Sequence, residues 1–418
     1  MPSSPLNALA HYKSLFAISS GRSMALAVAA RAPYAMIPLG TMTAITASTG
    51  SVASGGLATG VVSVATAVAS PLVGRWADKR GQRFVLRLLT PLNALALVML
   101  LVAALSGWDG PLLWAACLFV GVTSLPIGSF TRARWVAAAR QPRDVSTAFS
   151  YESTVDELVF VLGPAFVGIA ASAAIPAAPL ALAAALVLLA GMPFAITAPA
   201  VVEVPAANSA SILRPSIGRV LWAVVPAIIV MACIGTFFGS VQAAVTERSL
   251  EFDLASRAGL VYALMGVGSA VTALLAVVIP AAVRLSNRVL VGGLGMTVFI
   301  LVTWAQGSLV MTALSLLVAG LFVGPTMVTA FSVAERRSPR GGTGVAMTAM
   351  QSAITVGVSL GAAGGGALAA DNGATGAFLM AAAAALVIAA TGTVMMARVR
   401  ASAPLTVADL GVERVPAL

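Results

Sequence analysis

Two apolar runs, Ala53 to Val73 and Val85 to Leu105, flank a short segment, Gly74 to Phe84, that holds Arg75, Lys79, Arg80 and Arg83 against one acid, Asp78. Each run is long enough to cross a bilayer as a helix, which takes about 20 residues. A tight basic hairpin between two spans belongs on the cytoplasmic side. One element of the chain therefore indicates both a membrane fold and its orientation.

The remainder of the chain follows the same pattern. Charged residues make up 9% of it and hydrophobic residues 59%, whereas soluble domains carry roughly 25% charged residues. The formal charge of +10 is scattered through loops between apolar runs. It forms no continuous basic face, which excludes a nucleic-acid partner. Cys117 and Cys233 both lie inside apolar runs and His11 is the only histidine, so neither a disulfide framework nor a metal site is expected. No cofactor is expected either. The basic residues are 22 Arg against Lys13 and Lys79, with abundant Ala, a bias that suggests a GC-rich bacterial source. The first apolar run exceeds the 7–15 residues of a signal peptide and reads as a full span.

Twelve spans are expected, near 18–45, 51–73, 85–106, 112–138, 148–172, 179–199, 220–246, 254–282, 289–305, 309–334, 344–369 and 374–397. The longest polar connection, 200–219, divides the chain into a six-helix half at 1–199 and another at 220–400, followed by a tail at 401–418. With the N-terminus inside, all of the 24 basic residues except Arg31, Arg248 and Arg257 fall on the cytoplasmic side. The positive-inside rule therefore puts both termini in the cytoplasm.

The halves resemble each other. Leu118-Phe119-Val120-Gly121 of span 4 recurs as Leu321-Phe322-Val323-Gly324 of span 10. Ala148, Gly163 and Gly168 of span 5 match Ala346, Gly361 and Gly366 of span 11 at a constant offset. Direction is unchanged after six spans, so the repeat is parallel. The expected fold is all-α and integral to the membrane, with two parallel six-helix pseudo-repeats around a midplane site.

The loop pattern G-x-x-x-D-x-x-G-x-R, carried by Gly74, Asp78, Gly81 and Arg83, resembles the loop between helices 2 and 3 of the major facilitator superfamily. The resemblance implies a solute transporter. It also implies that these four residues latch the cytoplasmic side shut and release it when the cavity opens inward. Read from the residues alone, the loop is a topogenic basic hairpin whose Asp78 pairs with an arginine or caps a helix. The equivalent loop of the second half, Val283 to Arg288, keeps only Arg284 and Arg288.

Span 5 concentrates the ionisable groups: Glu152, Asp156 and Glu157. A charge at the bilayer centre costs about 2.5–3.5 kcal/mol on insertion scales, so these acids avoid lipid. Glu152 and Asp156 share a helical face. Asp156 and Glu157 lie about 12 Å from the cytoplasmic end at 1.5 Å per residue. Glu152 is shallower, and an ion pair with Arg134 across the loop explains it, as part of the latch. The expected partner of Asp156 and Glu157 is Arg31 in span 1, which cannot be neutralised in practice. Two readings follow for this trio: a proton-coupling site, or a permanent ion pair between spans 1 and 5.

Gly163-Pro164 with Gly168 resembles the G-P-x-x-x-G signature in helix 5 of the superfamily's drug:proton antiporters. Those antiporters carry an arginine in helix 4 that is absent here, where the chain reads Leu118 to Ser124, and Arg132 and Arg134 lie nearer the cytoplasm. Tyr34, Met36, Gln242, Tyr262 and Gln351 are candidates for a substrate cavity, or else for helix–helix hydrogen bonds. The expected function is secondary active transport by alternating access in a bacterial cytoplasmic membrane, as a monomer. Proton-coupled efflux of a small organic compound is preferred. Uptake or facilitated export of a sugar or other metabolite is the alternative, and a non-transporting receptor is a third. No G-x-x-x-x-G-K-S/T loop is present for an ATP-driven pump, and no hydrolytic constellation.

Overall fold

The structure is a computed structural model and describes residues 12–50, 52–139, 141–173, 175–197, 215–254, 258–280 and 282–401. Most of the expected connection at 200–219 and nearly all of the tail at 401–418 lie outside them. Among the described residues the chain is helical throughout, with no strand. A short helix, α1 (Tyr12–Ile18), precedes α2 (Gly21–Thr49), α3 (Val52–Arg80), α4 (Gln82–Leu105), α5 (Gly110–Val122), α6 (Ile127–Ala138) and α7 (Pro142–Ala173). Span 6 is α8 (Ala178–Leu186), a π turn (Val187–Gly191) and α9 (Met192–Ile196). The last six spans are α10 (Ile217–Glu251), α11 (Ala258–Leu275), α12 (Leu285–Trp304), α13 (Leu309–Arg337), α14 (Thr343–Asn372) and α15 (Ala374–Ala401). Ten of the twelve spans are long and apolar enough to cross a membrane by composition. The other two, α2 and α7, carry Arg31 and the span 5 acids.

Span 4 is expected as one helix and is broken. Pro126 lacks an N–H and turns the preceding residue away from helical geometry, so α5 stops at Val122 and α6 restarts at Ile127. Asn93 of α4 repairs the break by donating from Nδ2 to Val120 O at 3.2 Å and Thr123 Oγ1 at 3.1 Å. Elsewhere serine caps start spans. Ser20, Ser216 and Ser308 each accept from the backbone N–H three residues on, satisfying a donor that the first helical turn leaves open.

The pseudo-repeat is visible in the packing. Spans 1 and 5 pair as spans 7 and 11 do, and spans 2 and 4 as spans 8 and 10 do. Two of the glycine pairs matched by sequence, Gly163 with Gly361 and Gly121 with Gly324, make these contacts, whereas Gly366 has open space around it. A Cβ on Gly163 would lie 2.6 Å from Ala35 Cβ, and one on Gly361 would press on Thr236 O and lie 2.8 Å from Thr236 Cα. One on Gly121 would meet Val62 O at 2.7 Å, and one on Gly324 would meet Ala273 N at 2.6 Å. Small residues let membrane helices approach closely, so the sequence repeat is a repeat of contacts.

The two sets of six spans meet at the end that carries the basic loops, called the basic end below. Ser129 Oγ of α6 donates to Met347 O of α14 at 3.0 Å. Phe149 of α7 packs on Phe331 of α13, with ring centroids 6.1 Å apart. Tyr12 of α1 donates to Leu274 O of α11. The basic end is therefore shut.

Candidate functional site

Four charged side chains from three helices meet inside the first six spans. Arg31 comes from α2, Arg132 from α6, and Glu152 and Asp156 from α7. Arg31 Nη2 contacts Glu152 Oε2 and Thr131 Oγ1, and its Nη1 lies 3.3 Å from Asp156 Oδ1. Arg132 Nη2 donates to Asp156 Oδ2 at 2.6 Å. Thr131 and Trp135, one turn apart on α6, each donate to Glu152 at 2.7 Å. Arg132 is 0% exposed, Glu152 1%, Arg31 5% and Asp156 9%. Two cations balance two anions, which is how buried charge is tolerated. Asp156 is the most accessible of the four.

The cluster also touches the second half of the molecule. The Arg132 guanidinium lies 3.7 Å from the ring centroid of Phe331 in α13. Arg132 thus joins the charged cluster to the contact that shuts the basic end.

The sequence reading is corrected at two points. Arg134 does not pair with Glu152: its Nε donates to Gln82 Oε1 at 2.8 Å and its guanidinium stacks 4.1 Å from the Phe194 centroid. Residues two apart on a helix point to nearly opposite sides at about 100° per residue, so Arg132 turns toward α7 and Arg134 toward α4 and α9. Glu152 accordingly belongs to the buried cluster and not to the loop at the surface. Arg132, for which the sequence reading named no partner, reaches Asp156 directly. Its signal was an arginine six residues after Pro126, within an otherwise small and apolar stretch.

Of the expected trio, the structure brings together Arg31 and Asp156. The side chain of Glu157 lies outside the described residues, as do those of Pro164 and Gly168. Gly163 makes the close approach to Ala35 given above. Gly74 sits under α14, where a Cβ would meet Thr348 Oγ1 at 2.6 Å and Gly344 O at 2.9 Å. Asp78 places its carboxylate at the first turn of α14, so that a Cβ on Gly344 would lie 2.8 Å from its Cγ. Helix N-termini favour negative charge by about 0.3–1 kcal/mol. Gly81 has φ of +85° between α3 and α4, a region that favours glycine. Arg83 is half-buried beside it.

The cavity candidates are spread over four helices. Tyr34 donates to Asn93 Oδ1 at 3.4 Å. Met36 is 0% exposed, so in this state it fills helix packing and not a cavity wall. Gln242 is exposed, and Tyr262 and Gln351 are half-buried.

The family model described as Major Facilitator Superfamily matches residues 23–289. No curated protein sequence matches the chain. Several solved structures share its fold. The human organic anion transporter MFSD10 (TETRAN) superposes with a TM-score of 0.65 at 15% identity, over 88% of this chain and 97% of that one. A bacterial homologue of the iron transporter ferroportin, in an outward-facing state with soaked iron, gives 0.68 at 15% identity, over 90% and 98%. The E. coli fucose:proton symporter FucP gives 0.65 at 14% identity, over 92% and 98%. At such identities the likeness speaks for the fold alone.

Proposed function

The chain belongs to the major facilitator superfamily, and from that premise we propose that this secondary transporter couples proton movement at Asp156 to the efflux of a small organic compound. The observation that carries the reading is the position of Arg132, held by Asp156 on one side and by Phe331 of the other six-helix set on the other. A proton on Asp156 cancels the charge that Arg132 balances. An uncompensated buried guanidinium is costly, and opening the basic end hydrates it. Proton loading from the opposite side therefore favours opening at the basic end, where cargo enters after the proton leaves. The positive-inside rule makes the basic end cytoplasmic, in a bacterial inner membrane. Asp78 and Gly74 hold the same end shut from the loop side. The protein works as a monomer in this reading, with Tyr34, Gln242, Tyr262 and Gln351 lining the cargo path.

Transport in proteoliposomes with an imposed pH gradient tests this, using a panel of cationic, neutral and anionic organic compounds. Asp156→Asn is expected to abolish gradient-driven movement while substrate exchange without a gradient survives. Gradient-driven transport at the wild-type level in Asp156→Asn refutes the coupling role. Proton-coupled uptake of a sugar or other metabolite is the second reading, since the fucose:proton symporter shares the fold. The sign of the gradient that drives accumulation separates the two.

A further inference from the structure

A cavity of about 320 Å³ lies within the first six spans at the basic end. Its rim is formed by Ala137, Ala138 and Thr197, which are exposed, and its floor by Ala27, Thr131 and Glu152, which are buried. It runs from the surface to one carboxylate of the charged cluster. Of the five α6 residues that line it, Thr131, Arg134, Trp135 and Ala138 recur at the three- and four-residue spacing of a single helical face, and Ala137 adds to the rim at the end of the helix. Ser129 and Arg132, which contact α14 and α13, lie on another face of the same helix. The cavity is thus separate from the contacts that shut the basic end. Arg134 also keeps Nη2 buried without a hydrogen-bond partner among the described residues. A buried cationic donor of this kind favours a polar occupant.

Within the cluster, the two carboxylates differ in what they face. Glu152 forms the floor of this cavity, while Asp156, one turn along α7, is bound to Arg132 and through it to the gate. Arg31 stands between them, with one guanidinium nitrogen on each. The charged and titratable groups around Glu152 are Arg31 from α2, Arg134 from α6, and Tyr151 and Asp156 from α7. From α9 the cavity receives Phe194, which does not titrate.

We propose that this cavity is a vestibule through which Glu152 exchanges protons with water at the basic end while the gate there stays shut, with Arg31 insulating it from Asp156. The ligands are water and hydronium. The step is a bare proton transfer between the Glu152 carboxyl and vestibule water and needs no other reactant. The inference goes beyond the coupling reading above: Glu152 and Asp156 exchange protons by different routes, and only the Asp156 route is tied to the gate. It predicts that the two carboxylates answer to opposite sides of the membrane in one conformation.

The test reads access and not transport. In a Cys117→Ser, Cys233→Ser background, Ala27→Cys reports on the floor. A disulfide between Gly74→Cys and Thr348→Cys locks the gate. A small hydrophilic methanethiosulfonate is then added at the basic face. The expected result is unchanged labelling of Ala27→Cys in the locked protein, and loss of labelling when Ala138→Trp blocks the rim. Loss of labelling on locking overturns the proposal, as does labelling that Ala138→Trp leaves intact. Should the locked pair not fold, the Ala138→Trp arm decides in the unlocked protein, with Thr348→Cys as the gate reporter. Ala138→Trp is then expected to silence Ala27→Cys and spare Thr348→Cys. Equal effects on both reporters overturn the proposal. If the vestibule labels as expected and Asp156→Asn still couples, the vestibule stands and the coupling reading falls.

Discussion

Replacing Phe331 by leucine isolates the contact that ties charge to conformation. Leucine keeps the site apolar and buried but removes the ring beneath Arg132, 3.7 Å from the guanidinium, and the ring packed on Phe149. Arg132 and Phe331 are 0% and 1% exposed. A desolvated cation–π contact is worth about 2 kcal/mol. An aromatic pair adds about 0.5–1.5 kcal/mol beyond its buried area. Both are made between the two six-helix sets, so they exist only while the basic end is shut. Losing them favours the open state by about 2.5–3.5 kcal/mol, a population shift of roughly 60- to 300-fold at 1.4 kcal/mol per tenfold. Spin labels on α6 and α13 at the basic end, read as a distance distribution in detergent and in nanodiscs, measure that shift. The longer distance should dominate in Phe331→Leu. A distribution identical to wild type in a folded protein refutes the claim that this contact holds the end closed.

Other outcomes follow from the same geometry. Arg31→Ala leaves two buried acids sharing one cation and should cost about 3–5 kcal/mol. Arg31→Ala with Glu152→Ala should recover part of that loss in thermal unfolding, and strict additivity of the single mutants would disprove the pair. Asp78→Asn should weaken the hold on the first turn of α14 by about 0.3–1 kcal/mol, read as faster labelling of a cysteine on the basic half of α7 and slower labelling of one at the opposite end. Gly163→Val should force α7 off Ala35 and lower the melting temperature, while Gly56→Val, at a position with open space around it, should not.

The fold was legible because long apolar runs and an offset of matched glycines are properties of the linear chain. Gly163 and Gly361 occupy matched sequence positions, and each turns out to be the contact of its span with the span four earlier. The Arg31–Asp156 pair was legible too, since a lone buried cation requires an anion. What escaped was rotation about a helix axis. Averaged over a span, hydropathy runs 110–138 together and hides the break at Thr123 to Pro126, which resets which α6 side chains face inward. Arg134 was consequently paired with an acid, and the pairing of Arg132 with Asp156 was missed. Met36 was left between two readings for a related reason: a methionine near a tyrosine in a span can turn to the cavity or to the packing, and composition does not distinguish them.

The interruption of span 4 also has a mechanical consequence. α5 is anchored by Gly121 against α3 and by Asn93 of α4, while α6 carries Ser129, Thr131, Arg132 and Trp135. An unbroken helix would pass any tilt of those residues to the far side of the membrane and push lipid aside along its whole length. With four non-helical residues between them, the twelve-residue α6 can pivot like a rocker arm while α5 stays fixed. A tilt of α6 then stays within its own half of the span, and the lipid displaced by it is that of one leaflet.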